Sequence, residues 1–435
     1  VILRGIVLFR INFFRKTMKA FSEVMLREEV ELKALTATIA ALVGLSLMGT
    51  AFAQEKTIKI GNLNDLSGLY ADLGGPGSTV AAQLAVEDSG LLAKGWNIAV
   101  IAADHQNKAD IGSNIARQWF DVDKVDVIVD TPNSGVALAV NQIVKEKNKV
   151  LLDSGAGTSE LTGKACTPNT IHWTYDTYML ANTAGKALTK NGGDTWFFIT
   201  ADYAFGHALE RDTAAIAEAN GAKVLGKVRH PLNTADFSSF LLQAQSSGAK
   251  VIGLANAGGD TSNAIKQAHE FGITGGGQKL AALLLFISDV NALGLDVAQG
   301  LTLAETFYWD MNDQTRAFAK RFAERSPKHV MPTMGQAGVY SAVLHYLKAA
   351  EALGSVADGA KVVAKMKEIP TDDPLFGKGI VREDGRKIHP AYLFEVKSPS
   401  ESKGPWDYYK LVTTIPADEA FRPLKESECP LVSKK

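Results

Sequence analysis

Small hydroxyl residues and glycines gather at four points of the chain, each after a short apolar run. The first is Leu66-Ser67-Gly68-Leu69-Tyr70. The second, Thr131-Pro132-Asn133-Ser134-Gly135, follows Val125–Val129 and opens an apolar stretch with helical spacing. The third, Ser154-Gly155-Ala156-Gly157-Thr158-Ser159, follows Lys149–Leu152, and the fourth is Asp202-Tyr203-Ala204-Phe205-Gly206. Residues of this kind at helix starts expose backbone N–H groups, which suits a carboxylate. Ser134, Thr158 and Ser159 can equally be N-caps. Recurrence of the pattern in both halves of the chain favours a ligand cleft.

Motifs for covalent or redox chemistry are missing. The sequence has no HExxH, CxxC, Walker A or GxSxG pattern. Gly155-Ala156-Gly157-Thr158-Ser159-Glu160 approaches a dinucleotide loop. It carries Glu160 where the third glycine must allow close helix–strand packing, and it does not follow the first strand. Aspartates 121, 123, 126 and 130 read as strand ends and solvated turns rather than a metal site. No cofactor, metal or catalytic residue is expected, and the chain is not read as an enzyme.

To position such loops the chain needs strands alternating with helices. Strands are expected at 57–62, 97–102, 125–129, 149–152, 196–199, 223–228, 251–254, 280–286 and 301–306, with helical stretches between them. Further helices are expected at 314–325, 336–353 and 360–367, and short strands at 376–381, 392–396 and 406–412. This alternation is the signature of α/β sheets built from parallel strands with crossover helices. Ligands bind such sheets at the carboxyl ends of the strands, where the four loops lie.

The 435 residues suffice for two or three domains. Hydrophobic residues make up 46% and charged residues 21%, as in a globular protein. A net charge of −1 gives no basic surplus for nucleic acid. Residues 33–53 read as a secretory signal: Lys33, an uncharged apolar run from Leu35 to Met48, and Ala51-Phe52-Ala53 before a cleavage point. A buried or anchoring helix is the other reading of this run. Met18 or Met25 is better placed as initiator than the first residue. Export to the periplasm is the expectation, with cleavage near Ala53. Cys166 and Cys429, the only cysteines, could then pair in an oxidising compartment or stay as two buried thiols.

The ordered set Ile58-Lys59-Ile60-Gly61, Ser67-Gly68-Leu69-Tyr70-Ala71-Asp72-Leu73-Gly74-Gly75, Ala85-Val86-Glu87-Asp88, Ser154 to Thr162 and Asp202 to Gly206 resembles the branched-chain amino-acid-binding (leucine-binding type) periplasmic proteins of ABC importers. The resemblance covers about 55 to 415. It implies a type I periplasmic binding protein fold, with two Rossmann-like lobes joined by a three-strand hinge. Crossovers near Trp173, Leu303 and His389 would make lobe one 54–173 plus 303–389, and lobe two 174–302 plus 390–435. The implied partners are a small carboxylate ligand and a membrane permease, bound by a monomer. A periplasmic sensor on the same fold is the alternative, and a soluble nucleotide-using enzyme, for which no phosphate loop is found, the less favoured one.

Carried over residue by residue, the family's first-lobe ligand loops match Asn133, Ser134, Ala156, Gly157 and Thr158. From the second lobe, the family's covering tyrosine matches Phe205, and another falls near Asn256. Tyr70 and Tyr203 stand in the loops described above. Phe286 and Trp309 are expected to add apolar walls, with Trp309 from the stretch Phe307-Tyr308-Trp309 near the hinge. The family places a glutamate, for the ligand's ammonium group, after the strand matching Leu280–Phe286; here that stretch reads Leu285-Phe286-Ile287-Ser288. Asp289 comes late, in a position to cap the next helix. Asp202 and Glu305 are possible substitutes. The residues therefore lean toward a carboxylate without an amino group, such as an aromatic acid. Branched-chain amino acids are the alternative.

Overall fold

A computed structural model describes residues 14–25, 27 and 56–433. Residues 14–25 are helical and exposed. The expected signal segment, 33–53, lies outside the described residues. From Lys56 onward the chain is a unit of its own.

The unit opens with β1 (Thr57–Asn64), α1 (Gly75–Asp88), β2 (Asn97–Asp104), α2 (Ala109–Gln118), β3 (Val127–Val129), α3 (Ser134–Lys147), β4 (Val150–Asp153) and β5 (Thr170–His172). The five strands form one parallel sheet in the order β2-β1-β3-β4-β5. Both faces of its centre are covered, so β3 and β4 are apolar almost throughout rather than alternating. Val127, Val129, Val150 and Leu152 join one cluster with Leu84. Ile128 and Leu151 point the other way, to Val136 and Val140 of α3.

A second parallel sheet follows. The chain runs through α4 (Thr177–Leu180), a π turn at Ala181–Gly185 and α5 (Lys186–Lys190) into β6 (Thr195–Ala201), α6 (Ala204–Ala219), β7 (Lys223–His230), α7 (Ser238–Ser246), β8 (Val251–Ala255), α8 (Gly259–Glu270) and β9 (Lys279–Ala282). The sheet order is β7-β6-β8-β9. The strand expected through Phe286 stops at Ala282. The Phe286 N–H donates to the Asp289 carboxylate at 2.9 Å, which starts α9 (Ile287–Leu293), followed by α10 (Leu295–Ala298). Asp289 is thus a helix-capping residue, as its late position suggested.

Next come β10 (Thr302–Glu305), α11 (Asp313–Arg325), α12 (Met334–Leu353), α13 (Gly359–Glu368), β11 (Thr371–Asp373), β12 (Gly377–Val381), β13 (Lys387–Ile388), β14 (Ala391–Val396), β15 (Tyr409–Ile415) and α14 (Ala417–Ala420). β10, β14 and β15 form an antiparallel sheet, and β11 to β13 a second, smaller one. Helix α12 is buried along most of its length and shares a core cluster with α1 and the first sheet. The chain therefore returns to the first sheet's flank, places Phe394, Val396 and Tyr409 in the second sheet's cluster, and ends beside the segment between β4 and β5. Cys166 and Cys429 are disulfide-bonded, with Cα atoms 5.6 Å apart.

Asp130, just past β3, shows how the first sheet's edge is built. It adopts a left-handed φ of 53°. Its Oδ2 accepts from Asn64 Nδ2 at 2.8 Å and from the Ser78 hydroxyl, while Oδ1 finds no partner among the described residues. Burial pushes its pKa up to about 6, against those two hydrogen bonds. A carboxyl raised in the fold favours folding below its ordinary pKa, and that contribution is lost as pH rises through 6. Asp130→Asn keeps an acceptor and tolerates this φ. Thermal melts should show the variant more stable than wild type by about 1–2 kcal/mol at pH 8, with no gain at pH 4. A variant less stable at pH 8 would mean that the fold favours the ionised carboxylate and does not raise its pKa.

Candidate functional site

The carboxyl ends of β3 and β4 bring two of the loops together. The Thr158 N–H donates to Ser134 Oγ at 3.2 Å, linking residues 24 apart. Ser134 is the first residue of α3, so its own N–H has no preceding turn to bond. Asn133 is the N-cap; its side chain accepts from the N–H groups of Gly135 and Val136 at 2.9 and 3.1 Å. Thr158 Oγ1 caps the short 3-10 turn that follows, accepting from Glu160 at 3.4 Å. The Ala156 N–H is held by Asp153 Oδ1 at 2.8 Å, and its carbonyl bonds His172 Nε2 at 2.6 Å. Asn133, Ala156 and Thr158 thus have cap and loop duties; Ser134 is fully buried with its hydroxyl accepting from Thr158, and the Gly157 carbonyl accepts from the Thr177 N–H at 2.7 Å.

Gly157 faces a ring from the second sheet's side. A Cβ there would lie 2.6 Å from Phe205 and 3.0 Å from Tyr175. Phe205 is 2% exposed at the start of α6, and Tyr175 packs edge-on to Phe286 with centroids 6.0 Å apart. The Tyr175 hydroxyl donates to the Gly155 carbonyl at 2.5 Å. Tyr70 and Tyr203 share a hydrogen bond at 2.6 Å, although they lie 133 residues apart and follow strands of different sheets. Beside them, a Cβ on Gly258 would lie 2.8 Å from the Leu69 carbonyl. The loops of the two sheets are therefore in contact, with Tyr70, Tyr175, Tyr203, Phe205 and Phe286 between them.

The expected wall residue Trp309 and the expected site residue Asn256 are both engaged by other groups of the chain. Trp309 donates its indole N–H to the Trp406 carbonyl at 2.8 Å and lines a surface cavity of about 300 Å³ with Arg316 and Met331. β10 ends at Glu305, so strand alternation does not extend to Trp309. Asn256 is fully buried; its amide meets His230 at 3.1 Å and its carbonyl accepts from Thr261 at 2.7 Å. Asp202 is exposed and paired with His207 at 2.7 Å, with Arg229 3.4 Å away.

Two further buried acids are short of partners: Asp153 Oδ2 and Glu305 Oε2 find no hydrogen bond among the described residues. Burial raises both pKa values well above the carboxylate range, helped by the charge of Asp130 at Asp153 and of Asp289 at Glu305. Asp153 was not foreseen; its only sequence signal is an acid ending an otherwise apolar strand. Tyr175 lies two residues beyond Trp173, near which the resemblance places the first crossover.

The arrangement can enclose a small molecule, and it places no nucleophile–base pair among these groups. Comparison with known proteins agrees with that reading. A family model described as periplasmic binding protein matches residues 57–405. A periplasmic binding protein from Burkholderia mallei is 53% identical, covers 87% of this chain and 100% of its own, and superposes with a TM-score of 0.84. A branched chain amino acid ABC transporter periplasmic ligand-binding protein from Burkholderia xenovorans LB400 is 42% identical, with coverage of 86% and 100% and a TM-score of 0.77. The Leu/Ile/Val-binding protein homolog 4 of Brucella abortus (strain 2308) is 24% identical over 412 residues, 89% of this chain and 96% of that protein. Two parallel α/β sheets meeting at loops from their carboxyl edges, together with a match running from β1 past β14, place the chain in the periplasmic binding protein family.

Proposed function

We propose that this protein is the periplasmic solute receptor of an ABC importer and closes two lobes on a small carboxylate, an aromatic acid in preference to an amino acid. The observation that carries the reading is the contact between the lobes' loops, Tyr70 to Tyr203, around a wall of aromatic rings. Lobe one is taken as 54–173 plus 303–389, and lobe two as 174–302 plus 390–435. The Ser134 N–H and hydroxyl and the Gly157 backbone receive the carboxylate; Phe205, Phe286, Tyr70, Tyr175 and Tyr203 enclose the rest. Ligand contacts to both lobes stabilise the closed form, which is presented to a permease.

Charge favours the aromatic acid. No carboxylate follows β9 where the leucine-binding pattern has one, apart from Asp289, which is engaged with Phe286 and Ser262. An unpaired buried ammonium would cost several kcal/mol. Branched-chain amino acids remain the second reading, because the relative from Burkholderia xenovorans carries that name at 42% identity.

Calorimetric titration of ligand-stripped protein with benzoate, leucine and valine tests the choice. Micromolar binding of leucine without any response to an aromatic acid would overturn the preference. Ser134→Ala should weaken the bound acid by about 1–2 kcal/mol, since a buried charged group loses a donor. Thr158→Ala should lower stability by about 1 kcal/mol through its lost cap. Unchanged affinity in both variants would place the carboxylate elsewhere.

A further inference from the structure

Glu305 closes β10 and is 1% exposed. Neither of its carboxyl oxygens takes part in a hydrogen bond among the described residues, and Oε2 is completely enclosed. A buried carboxyl without a donor is costly, and such groups are rare unless something outside the chain meets them. The groups around it are acidic or phenolic. Asp289 on α9 adds its charge, although both its own oxygens are engaged. Tyr409 on β15 feels Glu305 and Asp289, and its hydroxyl is also buried without a partner. Tyr175 feels Glu305 from the aromatic wall. Tyr392 stands opposite Glu305 across the β10–β14 pair. No lysine, arginine or histidine pairs with Glu305 among the described residues.

We propose that Glu305 is the specificity residue for the ligand's second polar group, exchanging a hydrogen bond with a hydroxyl at the end away from the carboxylate. This rests on the reading of the cleft as an aromatic-acid site. Tyr175 links the two ends: its hydroxyl bonds Gly155 in the cradle loop, its ring packs on Phe286, and it feels the Glu305 charge. Burial, with the Asp289 charge added, pushes the Glu305 carboxyl upward and so favours its protonated form. A neutral carboxylic acid offers one O–H donor and an acceptor, which matches a phenolic hydroxyl without adding charge to a cleft that already takes a carboxylate.

The test is calorimetric titration of the full chain, wild type, Glu305→Gln and Glu305→Leu, with benzoate, 4-hydroxybenzoate and leucine. Thermal melts without ligand establish that each variant folds. The wild type should bind 4-hydroxybenzoate about tenfold or more tightly than benzoate, because a buried group left unpaired discriminates strongly. Glu305→Leu should remove that ratio while keeping benzoate affinity within a few-fold. Glu305→Gln should keep most of the ratio. An unchanged ratio in Glu305→Leu overturns the assignment alone. Aromatic acids that fail to bind the wild type overturn the reading of the cleft. Leucine binding that strengthens with pH and is lost in Glu305→Gln makes Glu305 an ammonium counter-ion and overturns the hydroxyl assignment.

Discussion

Gly157→Leu is expected to lower ligand affinity by about 100-fold or more while leaving the unliganded protein folded. The space at this position is already occupied. A Cβ would lie 2.6 and 2.9 Å from two carbons of the Phe205 ring and 3.0 Å from Tyr175. Gly157 is not in the left-handed region, so the substitution is not opposed by its backbone. The obstacle is the ring that arrives when the lobes meet. Overpacking of this kind costs about 1–3 kcal/mol or more, and the penalty falls on the closed form. An open form separates Phe205 from Gly157 and escapes it. Calorimetry should therefore show the affinity loss, and thermal melting without ligand a much smaller change. Phe205→Ala in the same chain should restore part of the binding. A Gly157→Leu protein with wild-type affinity would mean that the lobes do not close over this loop.

Reduction of Cys166–Cys429 should lower stability by up to about 5 kcal/mol, with a fall in Tm on the order of 5–10 °C. The bond spans 263 residues, so reduction restores a large freedom to the unfolded chain. Loop-closure models give their largest values for such spans. In the fold the bond also fixes the tail. Arg422 reaches Asp212 at 3.2 Å, its carbonyl accepts from Arg382 at 2.8 Å, and Arg386 lies 4.4 Å over the Phe421 ring. Melts with and without reductant, and of the Cys166→Ser and Cys429→Ser pair, measure the effect. An unchanged Tm would mean that these contacts hold the tail without the bond. The cysteines stand outside the loop cluster, so ligand affinity at 25 °C should change little.

Much of the architecture was legible because it depends on local patterns. Apolar runs of the right length gave β1 to β4 and β6 to β8, and 3.6-residue spacing gave the long helices within a few residues. β5 escaped because Thr170–His172 is three residues with no period of its own; its position depends on pairing with β4. The run from Leu280 to Phe286 reads as one strand, yet the Asp289 cap takes the Phe286 N–H and ends strand geometry before it. β15 begins at Tyr409, three residues beyond the expected start, because Trp406 has a left-handed φ of 68° and cannot be in a strand.

The sequence by itself determined the four loops and their place at the carboxyl edges of parallel strands, because strand–helix alternation leaves those edges as the only common rim. It also left the two cysteines with each other as their only possible intrachain partners. Tertiary structure alone decided which side chains meet there. Asn133 and Thr158 were claimed by nearby N–H groups, and Asn256 by His230 and Thr261. Trp309 was drawn to Trp406, while Tyr70 met Tyr203 across 133 residues. Glu305 is a plain strand-end acid in sequence. Only packing shows that no donor among the described residues reaches it, since burial and hydrogen-bond satisfaction belong to neighbours distant in the chain.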